Sequence, residues 1–262
     1  MTKILVVHDG PRDHALALTS IIDGLRKEYT KPHITWISSS ENAVFYRSLP
    51  NVEVSSIDDC DEKKLQKYDV AINFGGSYEA VIKAHEINAQ TYYGIYASEA
   101  SPRQWDSFSA NYGQAQKAYH VIYQGKETKQ NIFQAFYQMA NLSWRGQGYE
   151  IHYFPKSRAK DGKIGVAVKD DAVRAFVKSN LTMPSKLWHV PIKQDPMRQF
   201  DEVNCCESII TDNPFVMHVA VSLRKHVEFL LYEPPSCKLE FFGKGFCHLV
   251  PDNLRGPVSE NE

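Results

Sequence analysis

The sequence lacks an excess of charge of either sign: 30 Lys and Arg stand against 31 Asp and Glu, a formal net charge of -1. So balanced a chain exerts no long-range pull on nucleic acid, and no nucleic-acid partner is expected. Long apolar runs are missing too. The first, Ile4 to Val7, is far shorter than a membrane span or a secretory leader requires, so the chain reads as cytoplasmic. Cysteine is sparse. Cys60, Cys205, Cys206, Cys237 and Cys247 are odd in number and form no CxxC pair, which excludes a disulfide framework and leaves reduced thiols. Cys205, Cys206, Cys237 and Cys247 with His218 or His248 would be soft donors for zinc or iron. Adjacent cysteines chelate poorly, however, and buried free thiols are the expectation, so neither metal nor cofactor is expected. GxGxxG and GxxxxGK[ST] are both absent, which removes the dinucleotide-binding fingerprint and the P-loop. There is no internal repeat and no low-complexity tract.

What is present is alternation. Ile4–Val7 is aliphatic without polar interruption, as a strand buried on both faces of a parallel sheet must be. A turn-rich loop follows, then Ala15, Leu16, Leu18, Ile21, Ile22 and Leu25 at helical spacing. Strands are predicted over 33–38, 52–57 and 69–74, with a short helix over 43–49 and a helix opened by Gly75-Gly76-Ser77 through Ala84. A long helix is predicted over 128–141. Gly146, Gly148, Pro155 and the basic stretch Lys156 to Lys163 make the best linker. Beyond it, strands over 164–168, 187–190, 208–211 and 227–232 alternate with helices over 172–178, 196–203 and 217–223, and the tail after Gly256 is expected to be loose. Such alternation means βαβ units. The fold class is therefore α/β, with two Rossmann-like domains at 1–155 and 163–250.

Three segments carry candidate chemistry. The loop from His8 to Asp13 lies where open α/β sheets bind ligands, although Asp13 is equally a first-turn carboxylate favoured by the helix dipole. Asp212-Asn213-Pro214-Phe215-Val216-Met217-His218 follows a strand and enters a helix. Free amides there hold a diphosphate, or the segment is a plain turn with an incidental histidine. Asp59-Cys60-Asp61 spells DxD, which suits a divalent cation but equally forms an acidic helix start before Lys63 and Lys64. Tyr92, Tyr93, Tyr96 and Trp105 line an acceptor groove or pack in core and rim.

Taken in order, these segments resemble the heptosyltransferase family of glycosyltransferases, which adds heptose from ADP-heptose to the lipopolysaccharide core. Lys3 to Val7 with Arg12-Asp13 resembles the family's first strand and Gly-Asp pair, Arg12 replacing the glycine. Tyr68 to Asn73 with Gly76-Ser77, and Ala89 to Gly94, resemble its next strand and turn. Ile209 to Asp212 with Met217 to Ala220 resembles the donor motif, lacking its glycine and with one extra residue between Asp and His, and Glu233-Pro234-Pro235 resembles the family's next proline-containing turn. Ser185-Lys186-Leu187-Trp188 is similar to the segment whose lysine contacts donor phosphate; either Lys186 has that role and a strand-helix unit is deleted, or Leu187 to Val190 is simply the preceding strand.

The resemblance implies a GT-B type fold with a truncated C-terminal domain, and a metal-independent, inverting transfer from an ADP-heptose-like nucleotide-diphosphate sugar. The acceptor would be a glycan or lipopolysaccharide core, and any membrane contact peripheral to the inner membrane. Asp13 would be the general base. Lys186, Asp212, Asn213, Met217 and His218 would bind donor; Arg12, Gly76 and Ser77 would lie on the acceptor side. Arg12 beside Asp13 should lower the carboxylate pKa and weaken that base. The alternative is a catalytically inactive relative kept for binding or assembly.

Overall fold

The computed structural model describes residues 1–58, 66–75, 77, 80–81, 84, 86–98, 101–105, 110–154, 162–180, 184–193 and 195–254. Gly76, the Asp59-Cys60-Asp61 triplet, most of the basic linker stretch and the tail beyond Gly256 lie outside them, as does much of the helix placed after Gly75.

The chain divides into two compact units, Met1–His152 with Ser236–Leu239, and Tyr153–Pro235 with Glu240–Glu262. The return of 236–239 to the first unit is a backbone affair: Thr128 N–H donates to Ser236 O at 2.8 Å and Lys238 N–H to Gln130 O at 3.0 Å. Nothing in the side chains of this polar segment announces it.

The first unit holds β1 (Lys3–His8), β2 (His33–Ser38), β3 (Val52–Ser56), β4 (Lys67–Asn73) and β5 (Asn88–Gly94), in the order β3-β2-β1-β4-β5. All neighbours are parallel. Ile4 to Val7 are at most 1% exposed, as the uninterrupted run requires. The helices are α1 (Arg12–Leu18), α2 (Ile21–Glu28), α3 (Ala43–Tyr46), α4 (Tyr112–Gln124) and α5 (Ile132–Met139). A short antiparallel hairpin, β6 (Ala97–Ser98) with β7 (Ser101–Trp105), follows β5. The helix predicted over 128–141 is confined to α5 by a capping box: the Asn131 side chain accepts from Gln134 N–H, and the Gln134 side chain accepts from Asn131 N–H. Helix α4 was not anticipated.

The second unit contains β8 (Ile164–Ala167), α6 (Asp171–Asn180), β9 (Leu187–His189), α7 (Pro196–Asn204), β10 (Ser208–Thr211), α8 (Pro214–Ser222), β11 (His226–Leu231) and β12 (Gly245–Leu249). Its parallel sheet runs β12-β11-β10-β8-β9. Since it has as many strands as the first sheet, the truncation falls elsewhere: β9 has three residues, and no helix joins β11 to β12. Helix α8 begins at Pro214, three residues before the predicted start, because proline at the first helical position loses no intrahelical bond.

Both sheets share one consequence of strand order. The chain leaves β1 to one side and returns to the other at β4, and does the same at β8 and β10. Each reversal opens a crevice at the carboxyl ends of its two central strands.

Candidate active site

In the second unit the crevice is a cleft of ≈ 400 Å³ lined by Lys169, Asp170, Asp212, Asn213, Pro214 and Tyr232. Lys169 and Asp170 follow β8, Asp212 to Pro214 follow β10 and Tyr232 follows β11. Asp212 is the hub. Its oxygens each accept from the Lys169 N–H at 3.2 Å, and Oδ2 also accepts from the Tyr232 hydroxyl at 3.0 Å. Burial, then the Asp212 charge, pushes the Tyr232 phenol well above its ordinary pKa, so it stays a donor. Thr211 links the two strand ends, donating to Ala167 O at 2.8 Å and accepting from Asn213 N–H at 3.0 Å.

The two helices that start here are already capped by their own residues. Asp170 Oδ1 accepts from Ala172 and Val173 N–H at 2.8 and 3.0 Å. Asn213 Oδ1 accepts from Val216 N–H at 3.0 Å, Pro214 has no N–H, and Met217 N–H closes on Asn213 O at 3.0 Å. The dipole of α8 still faces the cleft, but several of its free donors are spent. Asn213→Ala should cost about 1 kcal/mol of stability in denaturant unfolding, and a loss near zero would show that the cap contributes nothing.

Other residues from the donor motif lie deeper or elsewhere. Met217 and His218 are 3% and 6% exposed, inside α8 rather than on the cleft lining. Lys186 immediately precedes β9, whose Leu187 pairs with Ile164 at the start of β8. A β-carbon at Gly162 would stand 3.2 Å from Lys186 Nζ, so the ammonium sits at the amino edge of the sheet. Asp212 follows Thr211, which pairs with Ala167 at the carboxyl end of β8. The four residues of β8 separate the two edges by roughly 13 Å at about 3.3 Å per residue. Lys186 and Asp212 are not brought together; Leu187 begins an ordinary strand, and β9–α7–β10 is a complete unit.

In the first unit Asp13 occupies the first turn of α1, with Pro11 as a cap that supplies no side-chain bond. Arg12 turns to Glu41, at 2.7 Å from Nη2 and 3.2 Å from Nε. Ser77 Oγ accepts from Ala80 N–H at 3.1 Å, a helix-start role. Around the β1–β4 crevice the loop is held by Asn42 Nδ2 donating to Gly10 O at 2.8 Å and by the Tyr123 hydroxyl of α4 donating to Phe74 O. A β-carbon at Gly75 would stand 2.9 Å from Asp9 Oδ1. Beneath lies His8, fully buried, with its pKa held down to about 3 by burial and then by His14. Tyr96 is fully buried and meets Tyr92 edge-on at 5.3 Å, so core packing accounts for that pair.

Lys169, Asp170 and Tyr232 were missed, as were His14 and Tyr123, whereas Asp9 lies within the loop His8–Asp13 that the sequence singled out. For Lys169-Asp170 the cue was available: they follow the strand Ile164–Ala167 as His8-Asp9 close β1. Tyr123, 49 residues from Phe74, has no such cue. Among the described residues no group of three or more His, Cys, Asp or Glu is placed to hold a metal ion, and no helix is long and apolar enough to cross a membrane.

No family model matches the chain, and no curated protein sequence matches it. Solved structures do. A glycosyl transferase family 9 protein from Veillonella parvula DSM 2008 shares 15% identity at a TM-score of 0.67, covering 95% of this chain and 86% of that one. The E. coli heptosyltransferase WaaC with ADP shares 8% at 0.57, covering 96% and 94%. The E. coli ADP-heptose lps heptosyltransferase II shares 12% at 0.55, covering 94% and 90%. Two Rossmann-like units, each with a crevice at its strand reversal, define the GT-B type of α/β fold. It is the fold of these solved glycosyltransferase structures, and the matches cover 94–96% of this chain.

Proposed function

We propose that this protein is a glycosyltransferase that moves a heptose-like sugar from a nucleotide-diphosphate sugar to a glycan acceptor, with inversion and without metal. The observation that carries this reading is the cleft at the β8–β10 reversal, where a lysine, an amide cap and a phenol donor converge on a helix start. Lys169 supplies the cation that Lys186 cannot, and with the α8 dipole it stabilises the departing diphosphate. Asp212 and Asn213 shape the cleft, while Met217 and His218 act beneath it by packing α8. On the acceptor side Asp13 takes the hydroxyl proton as the acceptor oxygen attacks the anomeric carbon and the carbon–diphosphate bond breaks. Arg12, paired to Glu41, and Gly76-Ser77 border that side. Lipopolysaccharide core and the inner-membrane face are the acceptor and location this reading favours.

One observation favours a second reading, a non-catalytic relative. The cleft holds two carboxylates to one lysine, and its helix-start amides are largely occupied. Thermal stabilisation by ADP, ADP-heptose and other nucleotide sugars separates the two, because a ligand specific to the folded state must stabilise it. Lys169→Ala should weaken nucleotide affinity about ten- to a hundredfold, the worth of one charge-assisted hydrogen bond, while Lys186→Ala leaves it unchanged. The reverse pattern would sink the assignment of the cleft, and no stabilisation by any nucleotide would establish the non-catalytic reading.

A further inference from the structure

Lys169 stands apart from the other polar residues that line the cleft at the β8–β10 reversal. The side chains of Asp170, Asp212, Asn213 and Tyr232 are all engaged in hydrogen bonds. Among the described residues no group pairs with the Lys169 ammonium, although two carboxylates line the same cleft. Attraction to either would fold a free lysine stem back onto it.

The backbone on which Lys169 sits is held at both its polar groups. Its N–H is fixed on Asp212, at 3.2 Å from each oxygen. Its carbonyl accepts from Nη2 of Arg174, on α6, at 3.2 Å. The same guanidinium donates twice to Val168 O, from Nε at 3.1 Å and from Nη2 at 2.7 Å, and the Arg174 N–H donates to Asp170 O at 2.9 Å. One residue thus pins three consecutive carbonyls of the turn between β8 and α6. Its remaining contact, Nη1 to Asp171 Oδ1 at 2.6 Å, is an i,i+3 pair whose carboxylate side chain is 92% exposed, and such surface pairs contribute little. Charge-assisted bonds to carbonyls are stronger, so the turn, rather than Asp171, holds the guanidinium.

We infer that Arg174 is a positioning residue for the nucleotide: by pinning the β8–α6 turn it keeps the Lys169 ammonium off Asp170 and Asp212 and available to a diphosphate oxygen. The inference rests on the donor reading of this cleft given above. Arg174 is not part of the cleft lining, so it acts through Lys169. A binding group held in place before its ligand arrives loses less freedom on binding. Apparent affinity scales with the fraction of molecules in the competent arrangement, so a freed turn that leaves Lys169 on a carboxylate roughly nine times in ten lowers affinity about tenfold. The planar fork of arginine bonds two carbonyls at once, which the single ammonium of a lysine at that position does not reproduce.

Calorimetric titration of the full chain with ADP, arranged as a double-mutant cycle, tests the inference. Arg174→Ala and Arg174→Lys should each weaken ADP binding about tenfold, the second while keeping the charge and the helix propensity. If Arg174→Ala does not fold, as circular dichroism shows directly, Arg174→Lys carries the test. In a Lys169→Ala background Arg174→Lys should change the affinity by less than about twofold, because no ammonium is left to place. A merely structural Arg174 would produce the same loss in both backgrounds, and that result would overturn the inference. So would an Arg174→Lys protein that binds ADP as tightly as the wild type. In either case the wild type still binds ADP and the donor reading stands, whereas a wild type that ADP fails to bind overturns that reading and this inference with it.

Discussion

Gly94→Ala lowers the stability of the first unit by about 4 kcal/mol, the sum of a left-handed backbone penalty and an overpacking penalty. Gly94 ends β5 with φ +95°. Its β-carbon would overlap the carbonyl oxygen of Asn73 and stand 2.9 Å from that carbonyl carbon and 3.0 Å from the Asn73 nitrogen. These are backbone atoms of the neighbouring central strand and cannot step aside. The Asn73 carbonyl accepts from Ile95 N–H at 3.3 Å, its amide side chain donates to Ile95 O, and its Oδ1 accepts from Gly75 N–H at 2.8 Å. Asn111, which accepts from Gly94 N–H, is itself fixed by donating to Gln138 O and Met139 O at 3.0 and 2.9 Å. Moving Gly94 therefore also moves Gly75, at the mouth of the β1–β4 crevice. Denaturant unfolding should show the midpoint collapse, and a loss below about 1 kcal/mol would mean that the strand end relaxes more freely than this network allows.

How much of this was legible depended on where the physical cause lay. Strands buried on both faces declare themselves locally: Ser208–Thr211 was read to the residue, and Ile4–Val7 within two. Helix α4 was hidden because its buried face is Ala115 and Ala118 rather than leucine, so helical periodicity is faint. Only the positive φ of Gly125 marks its end. Strand β12 was hidden because an exposed edge has no alternation to read. The misplaced lysine has a different origin. A run such as Ser185-Lys186-Leu187-Trp188 contains no information about which end of a parallel strand it occupies, and the end decides whether a side chain meets a ligand. The rule that ligands bind at carboxyl ends pointed to His8–Asp13 and to Asp212, and applied to Ile164–Ala167 it points to Lys169. Tyr123 depends on tertiary folding, and no local pattern could reveal it.

Acid should unfold the protein earlier than its carboxylates alone require, and His8 is the reason. Its ring is fully buried at the end of β1, and among the described residues neither ring nitrogen has a hydrogen-bond partner. His14 of α1 raises the cost of charging it, and a β-carbon at Gly10 would lie 2.7 Å from its Nε2 and 3.1 Å from the Tyr123 hydroxyl. Folding thus holds the imidazole neutral down to about pH 3, whereas in the unfolded chain it takes up a proton near its ordinary 6.5. Between these values the unfolded state binds the extra proton, so stability is complete above about pH 6.5. It falls by about 1.4 kcal/mol for each pH unit below that. His14, its pKa also lowered by burial and partly restored by Asp13, adds in the same direction. Glu228, lowered by its hydrogen bonds to His248 and His226 against the opposing cost of burial, sheds stability only below the ordinary carboxylate range. The loss between pH 6.5 and 5 therefore belongs to the histidines. His8→Leu removes two unpartnered buried nitrogens at similar volume. It should leave stability at pH 7 equal or higher and flatten the acid limb by one proton, read as the slope of unfolding free energy against pH. An unchanged slope in that variant would show that His8 is protonated in the folded protein, and that its burial at the base of the crevice is not what makes the fold acid-sensitive.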